Sequence, residues 1–144
     1  MKDIHAVADQ DLVELFNAHA ARFLGLLGGR IVAVDPDQAS CTLEYNISTD
    51  WCHSGDIVQG GFITSMLDSA MSHAAFAGDR EIVNLSSLEI KTNYLEATRA
   101  GRLTVVGKVI RGGYKLAFME GQVFDDNGVL TATASTVAKL IRKK

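Results

Sequence analysis

From Trp51 to Gly78 the chain reads Trp-Cys-His-Ser-Gly-Asp-Ile-Val-Gln-Gly-Gly-Phe-Ile-Thr-Ser-Met-Leu-Asp-Ser-Ala-Met-Ser-His-Ala-Ala-Phe-Ala-Gly, and this stretch decides the fold. A polar loop runs into Gly60-Gly61. The segment after it, rich in good helix formers and free of Pro and Gly, predicts a helix from the glycine pair to Ala77. Phe62, Ile63, Met66, Leu67, Ala70 and Met71 cover most of its circumference, so the helix must be buried. Gly61, Thr64, Ser65, Asp68 and Ser72, spaced by three and four, leave one narrow polar stripe, and Asp68 is its only carboxylate.

The first turn of a helix carries amides with no intrahelical acceptor, the aligned peptide dipoles add partial positive charge, and glycine lets a ligand approach the backbone. Such an end suits a carbonyl oxygen or an oxyanion. Asp68 has two readings on the helix alone: a solvated acid, or an acid kept among small hydroxyls with room for a ligand beside it. Its neighbours on the stripe are not the Lys, Glu and Arg of a solvated face, which counts for the second. Seven residues at about 1.5 Å each put Asp68 roughly 10 Å along the axis from Gly61. One reacting carbonyl does not easily touch both within one chain, so joint action on one bond predicts a homo-oligomer with sites at a dimer interface.

The rest of the chain reads as wrapping for this helix. With 144 residues, 47% of them hydrophobic, a single domain over 1–144 has enough apolar content for a core. A formal charge of −3, with the positive charges scattered apart from Arg142-Lys143-Lys144, gives no footprint for nucleic acid. No apolar run approaches the ~20 residues needed to cross a bilayer, and Met1-Lys2-Asp3-Ile4-His5 does not open a signal peptide. The expectation is a cytoplasmic protein with no membrane partner. Cys41 and Cys52 are too few for a disulfide framework, and Cys52-His53, Asp68 and His73 match no zinc spacing, so no metal is expected.

Asp11-Leu-Val-Glu14 resembles a capping box that opens an amphipathic helix, with Leu12, Leu15, Phe16, Ala20, Phe23, Leu26 and Leu27 at helical spacing up to Gly28-Gly29 and His19 packed on its apolar face. Arg30 to Asp35 reads as a strand, Asp35-Pro36-Asp37 as a turn, and Cys41, Leu43, Tyr45 and Ile47 alternate with polar residues as the other half of an antiparallel hairpin. After the central helix, Ser87 to Leu95 reads as a strand with Leu88, Ile90, Thr92 and Tyr94 on one face and Ser87, Glu89, Lys91 and Asn93 on the other. Leu103 to Ile110, Lys115 to Phe124 and Val129 to Ile141 follow, joined at Gly112-Gly113 and at Asp126-Asn127-Gly128. The order is α+β, with one antiparallel sheet covering an apolar helix.

That order resembles the hotdog fold, in which a curved antiparallel sheet wraps a central helix, and within it the phenylacetate-pathway (PaaI-like) type of acyl-CoA thioesterase. The likeness covers nearly the whole chain. It is densest over Gly55-Asp-Ile-Val-Gln-Gly-Gly-Phe-Ile-Thr-Ser-Met-Leu-Asp68, similar to the family's His-Gly-Gly turn followed by an acid two helical turns on; Leu88 to Ala97 and Asp126 to Ala132 also resemble the family. The resemblance implies hydrolysis of an acyl-CoA thioester, with no cofactor beyond the coenzyme A of the substrate, by a homodimer or a dimer of dimers.

Carried onto this sequence, Gly61 N–H would polarise the carbonyl beside Gly60, and Asp68 of the neighbouring protomer would act as nucleophile or general base. Thr64 and Ser65 would line the substrate. Ser87 aligns with a hydroxyl that orients water in some members, and is equally readable as a polar strand residue. Arg111, Gly113 and Lys115 lie in a turn where such proteins meet the CoA nucleotide, and are equally readable as an exposed basic hairpin. Gln59 stands where many members have His and cannot carry a proton, while His53 stands near where many have Asn and could position water or move a proton. Two rivals remain: a hotdog enoyl-CoA hydratase or dehydratase, which Gln59 weakens, and a non-catalytic acyl-CoA-binding protein.

Overall fold

The computed structural model describes residues 9–144. Helices α1 (Asp9–His19) and α2 (Arg22–Leu26) lead into strands β1 (Gly29–Asp35) and β2 (Ser40–Ile47). A 3-10 turn at Thr49–Trp51 and a short ribbon of β3 (Cys52–Ser54) and β4 (Ile57–Val58) precede the long helix α3 (Gly60–Gly78). Strands β5 (Ile82–Tyr94), β6 (Gly101–Gly112), β7 (Leu116–Phe124) and β8 (Leu130–Arg142) follow. Six strands form one antiparallel sheet in the order β1-β2-β6-β7-β8-β5, and α3 packs on its inner face. Among the described residues no helix is long and apolar enough to cross a membrane.

Two rows read across the strands explain where α3 sits. Ile31, Leu43, Val105, Val123 and Ala132 pair in register, and none is more than 1% exposed. The neighbouring row is small: Cys41 pairs with Gly107, Gly107 with Gly121, and Gly121 with Ala134. That row forms a trough for the helix. A Cβ on Gly107 would overlap the Ala70 carbonyl and lie 2.5 Å from the Met71 amide nitrogen, so the helix backbone reaches the strand only because residue 107 has no side chain. Met66, Leu67 and Met71 are wholly buried against the sheet, each contributing about 1.5–3 kcal/mol.

Three expectations are corrected. The single N-terminal helix is two, because Ala21 is extended (φ −60°, ψ 141°). The Asn17 side chain, on the last turn of α1, donates to Ile31 O and accepts from Ile31 N, both at 2.9 Å. That pair pins α1 to β1, and Leu24 and Leu27 enter the core only after the chain has turned. Asp11 therefore lies inside α1 rather than capping it, and His19 is exposed, its ring donating back to Leu15 O at 3.0 Å. The third correction concerns β5, which begins at Ile82 and carries a bulge between Ser87 and Glu89. Ile90, Thr92 and Tyr94 share a face as expected; Leu88 instead turns out, 59% exposed, and Ser87 turns in.

Candidate active site

The polar stripe of α3 faces β5, one of the two edge strands of the sheet. Asp68, in the middle of the helix, accepts a hydrogen bond on Oδ1 from Ser87 Oγ at 2.8 Å, and both residues are partly buried. The bulge makes this contact by re-aiming one side chain, since unbroken alternation would have sent Ser87 outward with Glu89. Asp68 Oδ2 has no hydrogen-bond partner among the described residues, so it is available to a ligand or to water.

About two turns nearer the helix start, Gln59 is the extended residue that precedes α3 (φ −60°, ψ 132°) and lends no side-chain cap. Its carbonyl accepts the Phe62 and Ile63 amides at 3.0 and 3.3 Å, and its own amide donates to Trp51 O at 2.9 Å. The amides of Gly60 and Gly61 have no backbone acceptor among the described residues. Gly61 is exposed, and nothing lies within 4 Å of where its Cβ would be, so its unpartnered N–H sits on an accessible residue at the positive end of the helix. Trp51 and Phe62 pack edge to face at 4.9 Å behind the turn. The loop before it is tied to the β5–β6 connection by Val58 N donating to Thr98 O, Ala100 N to Asp56 O, and the Arg99–Asp56 ion pair.

The remaining residues sort by place. Thr64 Oγ1 lies 2.8 Å from both Thr92 Oγ1 and the Tyr94 hydroxyl, and that hydroxyl donates to Gly60 O at 2.8 Å. Sequence reasoning missed Thr92 and Tyr94 as site residues; strand alternation put them on one face with Ile90, and nothing local marks that face as the one that meets the polar stripe of α3. Ser65 Oγ is engaged by its own helix, donating to Gly61 O at 3.1 Å. His53 is exposed on β3, with Nδ1 2.7 Å from Ser54 Oγ. Arg111, Gly113 and Lys115 stand at the opposite end of α3, roughly 27 Å along its axis from Gly60. There Arg142 clips the β6–β7 hairpin, with Nε donating to Tyr114 O, Nη2 to Gly113 O and Nη1 to Asp79 Oδ2. One chain thus brings Gly60, Gly61, Thr64, Asp68 and Ser87 to the α3–β5 seam and leaves the basic hairpin away from it.

His73 stands apart from the seam. Its ring packs between Phe16 and Phe76, its Nδ1–H donates to Ser69 O at 2.7 Å, and burial holds it below the ordinary imidazole pKa. Among the described residues no three His, Cys, Asp or Glu side chains are grouped to hold a metal ion.

Comparison with known proteins places this geometry in a family. The family model of the thioesterase superfamily matches residues 55–132, more than half of the chain, from the loop before the glycine turn through β7 to the start of β8. A candidate esterase of Saccharolobus solfataricus is 30% identical over 92 residues, 64% of this chain and 61% of that protein, so the match spans about three fifths of the relative's length. The crystal structure of a candidate thioesterase related to phenylacetic acid degradation, from Ralstonia eutropha, superposes with a TM-score of 0.78 at 28% identity, covering 83% of this chain and 90% of that one. The PaaI protein of the E. coli phenylacetic acid degradation operon gives a TM-score of 0.78 at 17% identity over 88% and 92% of the two chains, a likeness of fold alone. With the match running through both the glycine turn and the Asp68 helix, and the sheet and helix superposing on these structures, the chain belongs to the thioesterase superfamily and has the hotdog fold.

Proposed function

We propose that this protein hydrolyses an acyl-CoA thioester to a carboxylic acid and CoA, at a site shared by two copies of the chain. The observation that carries the reading is the 2.8 Å Ser87–Asp68 bond, which holds one oxygen of the only carboxylate on the α3 stripe and leaves the other free. The Gly61 N–H, at the helix N-terminus, donates a hydrogen bond to the thioester oxygen. Asp68 of the second copy either attacks the carbonyl carbon or takes a proton from the water that attacks. Either way a tetrahedral oxyanion forms against Gly61 N–H, the C–S bond breaks as the carbonyl re-forms, and CoA leaves as a thiolate that is then protonated. If Asp68 attacks, water next hydrolyses the acyl-aspartyl anhydride and restores the carboxylate. One such oxyanion donor is worth on the order of 3 kcal/mol in other enzymes, enough to make the turn matter.

The open edge of β5 supports the shared site. This 13-residue strand is outermost in the sheet and exposes Val83, Leu88 and Tyr94 by 51, 59 and 53%, an edge that invites pairing with another strand. Antiparallel pairing of two β5 strands about a two-fold axis near Leu88, the middle residue of the strand, would put Ser87 and Asp68 of both copies beside the axis. The same operation would carry the basic hairpin of one copy to the Gly60-Gly61 end of the other. In this arrangement Arg111 and Lys115 meet the CoA phosphates with Gly113 as close backbone, and the exposed Gln59 and His53 meet substrate or water at the mouth. Thr64 and Ser65 form the small-residue wall, and no cofactor is needed beyond the CoA of the substrate.

Thiol release from short, medium, long and aromatic acyl-CoAs, measured for the wild type and for Asp68→Asn, tests this reading. The expected result is release by the wild type, near-complete loss in the variant, and an unchanged dimer in sedimentation. Near-normal release by Asp68→Asn would remove Asp68 from the mechanism. Hydration of an enoyl-CoA without thiol release would replace hydrolysis by a hydratase reaction, and tight binding of the esters with no turnover would leave a binding protein.

A further inference from the structure

The Gly60-Gly61 turn is gripped by a chain of hydroxyls, two from β5 and one from α3 itself, that ends on a carbonyl: Thr92 Oγ1, Thr64 Oγ1, the Tyr94 hydroxyl and Gly60 O, each 2.8 Å from the next. Counting protons gives the chain a direction. A carbonyl oxygen only accepts, so the single Tyr94 proton goes to Gly60. Thr64 must then donate to Tyr94, and Thr92 to Thr64. The chain ends on the peptide that joins residues 60 and 61, and the N–H of that same peptide is the Gly61 donor described above. A hydrogen bond received at the carbonyl draws electron density toward oxygen and strengthens the N–H as a donor, by about 10–30% per bond in a chain.

The two glycines have different physical reasons. A Cβ on Gly60 would lie 3.0 Å from Tyr94 Cζ, 3.1 Å from its hydroxyl oxygen and 3.2 Å from Cε1, so a side chain there would push the tyrosine ring back by a few tenths of an ångström from its seat. A Cβ on Gly61 would meet nothing within 4 Å. Gly60 therefore makes room for Tyr94, and Gly61 leaves room for a ligand.

The geometry points to Tyr94 as a positioning residue for the oxyanion donor: its hydroxyl fixes and polarises the Gly60–Gly61 peptide so that the Gly61 N–H meets the thioester oxygen in line and as a stronger donor. This inference rests on the hydrolase reading of the turn. It adds a residue that touches neither the substrate nor Asp68 but acts through the peptide that does.

Tyr94→Phe is the test, because Phe keeps the ring against Gly60 and removes only the hydroxyl. The donor is weakened and not removed, so kcat for the best acyl-CoA of the panel is expected to fall about tenfold, with KM changed by less than about twofold. Thr64→Val, which cuts the chain one link earlier, should lower kcat by a smaller factor. A second readout needs no turnover: the Gly61 amide proton in the NMR spectrum of the unliganded protein should move upfield in Tyr94→Phe. An unchanged kcat in Tyr94→Phe, beside an active wild type and an inactive Asp68→Asn, would overturn the inference and leave the hydrolase reading standing. So would a loss seen only in KM, or one that tracks a fallen melting temperature. If the wild type releases no thiol the hydrolase reading fails by itself, and an unmoved Gly61 amide would overturn the Tyr94 role whatever the turnover.

Discussion

Replacing Gly107 by Ala should lower stability and turnover together. Gly107 sits opposite Gly121 in the sheet and directly beneath the Ala70–Met71 step of α3. An added Cβ would fall inside the contact distance of the Ala70 carbonyl and 2.5 Å from the Met71 nitrogen, where ordinary contact is about 3.5–4 Å. Those atoms are backbone of a buried helix and cannot rotate away, so the helix must retreat by about 1 Å. Overpacking costs about 1–3 kcal/mol, and an immovable neighbour puts this case at the top of the range. At roughly 3–4 °C per kcal/mol for a domain of this size, the melting temperature should fall by about 10 °C. Ala70 is two residues past Asp68, so the same retreat displaces the carboxylate from Ser87, and a misplacement of about 1 Å can cost on the order of 100-fold in rate. Gly121→Ala is the internal control. Its Cβ would meet Leu67 Cδ2 at 3.0 Å and Met71 Cγ at 3.3 Å, side-chain atoms that can shift, for about 1 kcal/mol. Melting followed by circular dichroism, at one fixed protein concentration so that any self-association contributes equally to both variants, is compared with thiol release. Equal melting temperatures for the two variants would refute the claim that helix backbone rests on residue 107.

Ser87→Ala removes a hydroxyl-to-carboxylate bond of the kind that contributes about 1.5–3 kcal/mol, and kcat should fall at least about tenfold while the protein stays folded. Ser87→Thr, which keeps a hydroxyl, should retain most of the activity, and wild-type kcat in Ser87→Ala would return Ser87 to the status of an ordinary strand residue. His73 provides a pH test: its folded pKa lies below the ordinary 6.5 because burial penalises the charged ring, so below that pH the unfolded chain binds a proton that the folded one resists. Its stabilising contribution is complete above pH 6.5 and is lost as pH falls toward the folded value, with a slope of up to about 1.36 kcal/mol per pH unit. Urea midpoints from about pH 7.5 to about pH 5 should show that slope in the wild type and a flatter line in His73→Met; parallel lines would assign the titration to another group.

The parts of the fold legible in the sequence are those set by neighbours in the chain. Helix α3 was legible because its glycine start and apolar circumference are local facts, and the β7–β8 hairpin because Asp125 accepts from Asn127 and Val129 around Gly128 at φ +79°. Features set by distant partners were not. No breaker marks Ala20-Ala21; the helix stops there because Asn17 is bound to Ile31, fourteen residues on. The basic residues Arg111 and Lys115 were visible, but not that the Arg142 clip holds their hairpin at the far end of α3 from the glycine turn.

The error in β5 is the most informative. Alternation put Leu88 on the face of Ile90, Thr92 and Tyr94 and Ser87 on the opposite one, and a regular strand would have kept them there, setting an apolar side chain toward Asp68 and the Ser87 hydroxyl in solvent. The pairing with β8 decides otherwise: Ser87 stands opposite Ala138 and Glu89 opposite Val137, so Leu88 is the extra residue of a bulge. A bulge gives up part of the ladder and turns a leucine to water, costs that packing alone does not explain. What offsets them is the hydroxyl delivered to the Asp68 carboxylate at 2.8 Å. Local rules are most often broken where a site requires it, and the break in this strand lies at the residue that meets the acid.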